Sequence, residues 1–222
     1  MKPLLGIVPA GVAAALVMLA SEPARAQASP DTSDLQLGEP GLPARSRAFE
    51  LTVGTGYTQG FGMLQPGVGM PQVANAGIGV EGTLGYRVDR NFGVSIGTQY
   101  QELQPERNDA ARAFAFGLAL QYHVVPDARL DPWVEVGSGY RVLLLEPELF
   151  GPTTVFHGPQ LVRVRAGLDV RLSREVAIAP VIGADATMFV IRDDVNITAI
   201  ADPTISTFVF AGLQGRLDLG GI

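Results

Sequence analysis

Across most of this chain apolar and polar residues alternate one for one, a two-residue period that suits a strand and cannot form one face of a helix. Thr204–Leu219 shows it plainly: Ile205, Val209, Leu213, Leu217 and Leu219 share one face, against Ser206, Gln214, Arg216 and Asp218 on the other. Seven further segments follow the same pattern: Phe49–Thr58, Ala76–Val88, Phe92–Glu102, Arg112–Val124, Trp133–Leu145, Gln160–Leu172 and Val176–Val190. The segments predict eight strands, each long enough to cross a bilayer at a tilt. The fold class expected is all-β, an eight-stranded antiparallel up-and-down transmembrane barrel over residues 48–219.

A water-soluble barrel would alternate too, with its charges outward. Here the charged face is crowded with glycine, including Gly77, Gly79, Gly85, Gly93, Gly97, Gly117, Gly137, Gly139, Gly167 and Gly183. Small residues suit the tight interior of an eight-stranded barrel, so the charged face reads as the lumen and the apolar face as the lipid surface. The aromatic residues Tyr57, Tyr86, Phe92, Tyr100, Tyr122 and Tyr140 fall on the apolar face toward the two rims, as interfacial girdles do.

The connections alternate in length. Asp89-Arg90-Asn91, Pro126–Leu130 and Ser173-Arg174 are short, whereas Gln59–Asn75, Leu103–Ala111, Glu146–Pro159 and Ile191–Pro203 are long. Short turns belong at the periplasmic side of such barrels and long loops outside. A tetrapeptide also recurs on every descending strand: Leu84-Gly85-Tyr86-Arg87, Leu120-Gln121-Tyr122-His123, Leu168-Asp169-Val170-Arg171 and Leu213-Gln214-Gly215-Arg216. It predicts a basic ring inside the barrel near its periplasmic end.

Residues 1–26 carry Lys2, an uncharged run from Pro3 to Ala20 and Ala24-Arg25-Ala26, the three parts of a secretory signal. A membrane anchor is the alternative, although the run is short for a span. Residues 27–47, rich in Ser, Pro, Asp and Gly, read as a disordered periplasmic leader. The absence of cysteine excludes disulfide scaffolds, thiolate metal sites and thiol nucleophiles. A formal charge of −6 opposes nucleic-acid binding.

Leu84–Val94 resembles a periplasmic hairpin of the small OmpA/OmpX/OmpW-type outer-membrane barrels. Asp131–Tyr140 is similar to the ascending strand that follows such a turn. The resemblance implies a location in the bacterial outer membrane, contact with its lipid and lipopolysaccharide, and insertion by the barrel-assembly machinery. One departure is the C-terminus, Leu217-Asp218-Leu219-Gly220-Gly221-Ile222, which lacks the final aromatic residue common in such barrels.

The expected lumen charges are Glu50, Glu81, Arg87, Glu135, Arg141 and Arg163, with Arg165, Asp169, Arg171, Asp185, Arg216 and Asp218. In a narrow interior they must pair, and arginine does so bidentately. They form either a network that closes the barrel or the constriction of a narrow pore. Above them Leu143, Leu161, Phe189, Phe208 and Phe210 turn inward, either as an apolar pocket open to the outside or as plain packing. The first long loop, with Met63, Leu64, Met70 and Val73, is apolar enough to meet a partner or lipid, or to fold over the mouth. Asp193-Asp194 is a weak candidate for a divalent ion. A lipid-modifying enzyme would need a serine and a histidine base in the outer part of the barrel. His123 and His157 are the two histidines, and neither has a serine beside it. No catalytic residue, metal or cofactor is therefore assigned. The primary reading is a structural or surface-interaction barrel, with a narrow channel or binder of small apolar molecules as the alternative.

Overall fold

The structure, a computed structural model, describes residues 43–104, 110–146 and 152–221. The signal segment and the leader up to residue 42 lie outside these residues, as do the tips of the second and third long loops. The elements are β1 (Ala48–Gln65), β2 (Val68–Gly69), α1 (Met70–Val73), β3 (Ala76–Arg87), β4 (Phe92–Gln104), β5 (Ala110–His123), β6 (Leu130–Glu146), β7 (Thr154–Arg171), β8 (Val176–Met188), β9 (Ile191–Asp193), β10 (Ile197–Ala199) and β11 (Ile205–Leu219).

Eight long strands pair antiparallel in the order β1, β3, β4, β5, β6, β7, β8, β11, and β11 returns to β1. The ladder closes on itself, which removes the free edges an open sheet would carry. Among the described residues no helix is long and apolar enough to cross a membrane, so any crossing by these residues is made by strands.

The two-residue period sets the faces as the sequence predicts. Ile78, Leu118, Leu120 and Ile182 are each about two-thirds exposed on the outside, while Arg87, Arg141 and Arg171 are fully buried within. The short turns are built by side chains that replace missing ladder partners. Asp89 Oδ1 accepts from the Asn91 and Phe92 amides at 2.8 Å each. Ser173 Oγ accepts from Glu175 and Val176.

Three features depart from the strict alternation. First, β1 runs on to Gln65, well past the predicted Thr58. It then reverses through Pro66-Gly67, where Gly67 has φ +81°. Second, β7 carries a bulge: Gly139 pairs with Gln160 and Gly137 with Arg163, so Leu161 and Val162 together face Ser138. The extra residue reverses the parity of upper β7. Third, residues 43–47 are not a free leader. The Ala44 amide donates to Pro126 O at 2.8 Å, Arg45 Nη1 donates to Gly220 O at 3.0 Å, and Arg45 also pairs with Glu175. Pro126 belongs to the β5–β6 turn, opposite β1 in the strand order. The segment therefore straps across the short-turn end.

Candidate functional site

The inward side chains form stacked tiers. At the short-turn end, the tetrapeptide repeat brings Arg87, His123, Arg171 and Arg216 to one level with acids from neighbouring strands. Arg87 Nε donates to Glu50 Oε1 at 2.6 Å, Arg216 Nη1 to Asp169 Oδ2 at 2.6 Å, and Arg171 Nη1 to Asp218 Oδ2 at 3.0 Å. His123 Nε2 lies 3.0 Å from both Arg87 Nη2 and Arg216 Nη1. Guanidinium groups only donate, so Nε2 is the acceptor and the ring proton sits on Nδ1, 2.6 Å from Asp131 Oδ2. Trp133 Nε1 donates to Asp169 Oδ1 at 2.8 Å. The ligand atoms of His123, Asp131 and Asp169 lie within 4.8 Å of one another, yet the two arginines point at the same histidine nitrogen. A second cation there would meet two fixed positive charges, so the cluster is a hydrogen-bonded charge network.

The middle tier crosses the barrel from β3 to β7. Glu81 pairs with Arg163 at 2.9 Å and with Arg165, which also approaches Glu135 at 3.5 Å. Gln214 Oε1 accepts from Arg165 Nη2 at 3.1 Å. Above it Arg141 Nη2 meets Asp185 Oδ2 at 2.7 Å, with Gln101 at 3.2 Å, and its guanidinium carbon lies 3.8 Å from the centroid of the Phe208 ring. Burial of these charges is tolerable because each finds an opposite charge or an amide.

All twelve sequence-predicted lumen charges point inward and join these tiers. Sequence reasoning placed His123 in the basic ring but omitted Asp131 and Trp133 from the site, although the parity of β6 places both on the lumen face. The glutamines also went unassigned. They carry no charge to flag them, and their role emerges only where Arg141 and Arg165 reach across the barrel.

The top tier is apolar. Leu143, Phe189 and Phe208 are buried with Leu103, Ala111, Leu145 and Phe156, and the first long loop fills the space between them with Leu64, Met70, Val73 and Ala74. Phe210 packs lower down, with Trp133, Ala179 and Val181. Leu161 is corrected: the β7 bulge turns it outward, where it is 44% exposed, and Phe156 and Gln160 take the inward positions. Of the two readings the sequence left open, plain packing describes this tier, a core occupied by the chain's own loop. That loop is pinned by hydrogen bonds to Met63 O from Thr204 Oγ1 at 2.7 Å and Ser206 Oγ at 2.9 Å, and from the Gly60 amide to Asn75 O at 2.7 Å. Met70→Ala would leave a void in a fully buried position and should cost about 2–5 kcal/mol. Urea unfolding of the refolded barrel reads this, and a shift under about 1 kcal/mol would show that the loop does not hold the mouth.

The six predicted interfacial aromatics all face outward. Phe49 joins Tyr86 and Phe92 joins Tyr122 near the short-turn rim, with ring centroids 5.3 and 5.0 Å apart. Tyr100–Phe114 and Phe116–Tyr140 pair higher up, at 4.9 and 5.9 Å. Asp194 is committed within its own hairpin. It pairs with Arg192 at 2.6 Å, and the amides of Asn196 and Val195 hold its carboxyl below the usual aspartate range.

A closed antiparallel barrel with an apolar outside, aromatic rims and a charged, filled inside is a transmembrane β-barrel of the small, eight-stranded kind. No family model and no curated protein matches the sequence. Solved structures do resemble the fold. Neisserial surface protein A is similar with a TM-score of 0.55 at 9% identity, over 76% of this chain and 96% of that one. The outer membrane protein OprG from Pseudomonas aeruginosa is similar with a TM-score of 0.54 at 10% identity, over 80% of this chain and 99% of that one. At such identities the likeness is one of fold.

Proposed function

We propose that this chain is an integral barrel of the bacterial outer membrane, exported by its residues 1–26 and inserted by the barrel-assembly machinery. Its short turns face the periplasm, and its role is structural or surface-interactive rather than catalytic or transporting. The observation that carries this reading is the continuous filling of the lumen. A strap crosses the periplasmic mouth, three charged tiers follow, and an apolar tier wedged by the first loop completes the stack. Among the described residues no built path for a solute runs along that axis. Histidine chemistry has little support either: His123 is enclosed by arginines, and His157 shares a 2.5 Å hydrogen bond with the Tyr140 hydroxyl on the outer face. Partners are then met through the outer-membrane lipid, lipopolysaccharide and the long loops.

The alternative, a narrow channel or binder for small apolar molecules, draws on the apolar chamber at the outer mouth. In that reading the first loop must leave the chamber. Planar-bilayer conductance of the refolded barrel separates the two. A closed barrel gives a quiet baseline, whereas discrete current steps in the wild-type protein would overturn the closure. A paired gel of boiled and unboiled samples confirms that the measured protein is folded.

A further inference from the structure

The outer wall is not evenly convex. Across five neighbouring strands one register row reads Thr52, Thr83, Gly97, Gly117, Gly139, each residue paired with the next. All five are inward positions, so only their backbone shows on the outside, and the outward neighbours Gly82, Thr98 and Ser138 are small. Along this row the wall forms the floor of a recess of about 860 Å³ on the lipid side. Its banks are outward residues of the rows above and below, among them Leu51, Leu84, Ile96, Phe116 and Leu118. Leu118 is 67% exposed and Phe116 59%, so the banks stand clear of the barrel body.

The dimensions define what can lie there. Five strands span four interstrand spacings, about 19 Å, the reach of a long saturated acyl chain. With strands tilted about 40°, each residue rises about 2.5 Å along the barrel axis. Thr52 stands four residues above the first residue of β1, and Gly139 nine above the first of β6. The trough therefore climbs about 12 Å, within the depth of one leaflet of a hydrocarbon core about 30 Å thick. Its upper end lies about 22 Å above the short-turn rim, near the top of an apolar band about 25 Å tall. Its lower end stops about 10 Å short of that rim. A chain anchored at the outer interface can enter at Ser138 and Gly139 and fill the trough, whereas one anchored at the periplasmic interface would use much of its length before reaching it. At the upper end Tyr140 and His157 share their hydrogen bond, 2.5 Å long, and Tyr140 stacks near Phe116. The polar pair thus sits where a lipid head group would emerge.

The geometry points to a binding site for one acyl chain of an outer-leaflet glycolipid, running obliquely across the β1–β6 wall with its head group beside Tyr140 and His157. In an outer membrane that lipid is lipopolysaccharide. The site rests on the chain spanning that membrane with its short turns inward, and it is independent of whether the lumen conducts.

Gly82 offers a clean test. It lines the trough, and a Cβ there would come no closer than 4.0 Å to its nearest neighbour, the Thr52 carbonyl oxygen. Gly82→Leu should therefore fold while filling the groove. Thr98→Phe, at an outward position on the next strand, is a second blocking variant. Ala184→Leu, outward on β8 and away from the trough, is the control. Each protein is extracted from native outer membranes in mild detergent and weighed by native mass spectrometry. The boiled-and-unboiled gel shift confirms that each barrel is folded. Wild type and Ala184→Leu should retain one adduct of lipopolysaccharide mass per barrel, and the two blocking variants should lose it. Absence of any adduct in the wild type, an adduct of phospholipid mass instead, or equal retention in folded Gly82→Leu and Thr98→Phe would each overturn the site. A failed gel shift in the wild type would instead count against the membrane barrel.

Discussion

Asp169→Ala should destabilise the folded barrel by about 3–5 kcal/mol, the cost of removing one partner from a buried charge pair. Asp169 is fully buried, accepts from Arg216 Nη1 at 2.6 Å and from Trp133 Nε1 at 2.8 Å. Its loss orphans the Trp133 indole N–H and leaves Arg216 Nη1 with neutral His123 Nε2 and no carboxylate nearer than Glu50 at 4.0 Å. Asn at this position would keep a partner for Trp133 but not the charge, and should recover part of the loss. Replacing Asp169 and Arg216 together by apolar residues should cost less than Asp169→Ala alone, since no uncompensated charge then remains. The chain's single tryptophan, Trp133, reports the transition by fluorescence in a urea titration. If Asp169→Ala unfolded within about 1 kcal/mol of wild type, the floor of the lumen would not be a coupled network.

Gly139→Val should abolish the folded barrel. A Cβ built on Gly139 meets the Phe116 carbonyl oxygen at 2.1 Å and the Gly117 Cα at 2.9 Å. Both are backbone atoms of β5, so they can retreat only by breaking the β5–β6 ladder. The glycine marks a place where the wall bends sharply, as barrels require at points of high curvature. The measurement is the fraction of protein that migrates as a compact band without boiling. Gly82→Leu should keep that band and Gly139→Val should lose it. A wild-type band from Gly139→Val would mean that the wall at this row is far more pliable than its contacts imply.

The strand positions were legible because a strand half in lipid and half in a polar lumen must alternate. The shared tetrapeptide likewise revealed that Arg87, His123, Arg171 and Arg216 lie at one level. What alternation cannot carry is an insertion of one residue. Leu161 was placed inward by counting from Arg163, and the bulge at Leu161 and Val162 reversed the count. The first loop was legible as unusually apolar, but its destination was not. Met70 and Leu64 lie inside because Phe208, Phe189 and Leu143, far away in sequence, leave an apolar space of matching shape. The ordered strap of residues 43–47 was invisible for a similar reason, since its partners Pro126, Glu175 and Gly220 come from distant turns.

The sequence by itself therefore determined which residues face lipid and which face the lumen, how many strands close the barrel, and that its interior is charged. Those are local properties, set by a two-residue period and by the composition of each face. Only the tertiary structure decided which arginine meets which carboxylate, that the outer mouth is filled by the chain itself, and that the outer wall carries a recess across five strands. Pairing across a barrel depends on register and tilt, and those are fixed only when the last strand hydrogen-bonds to the first.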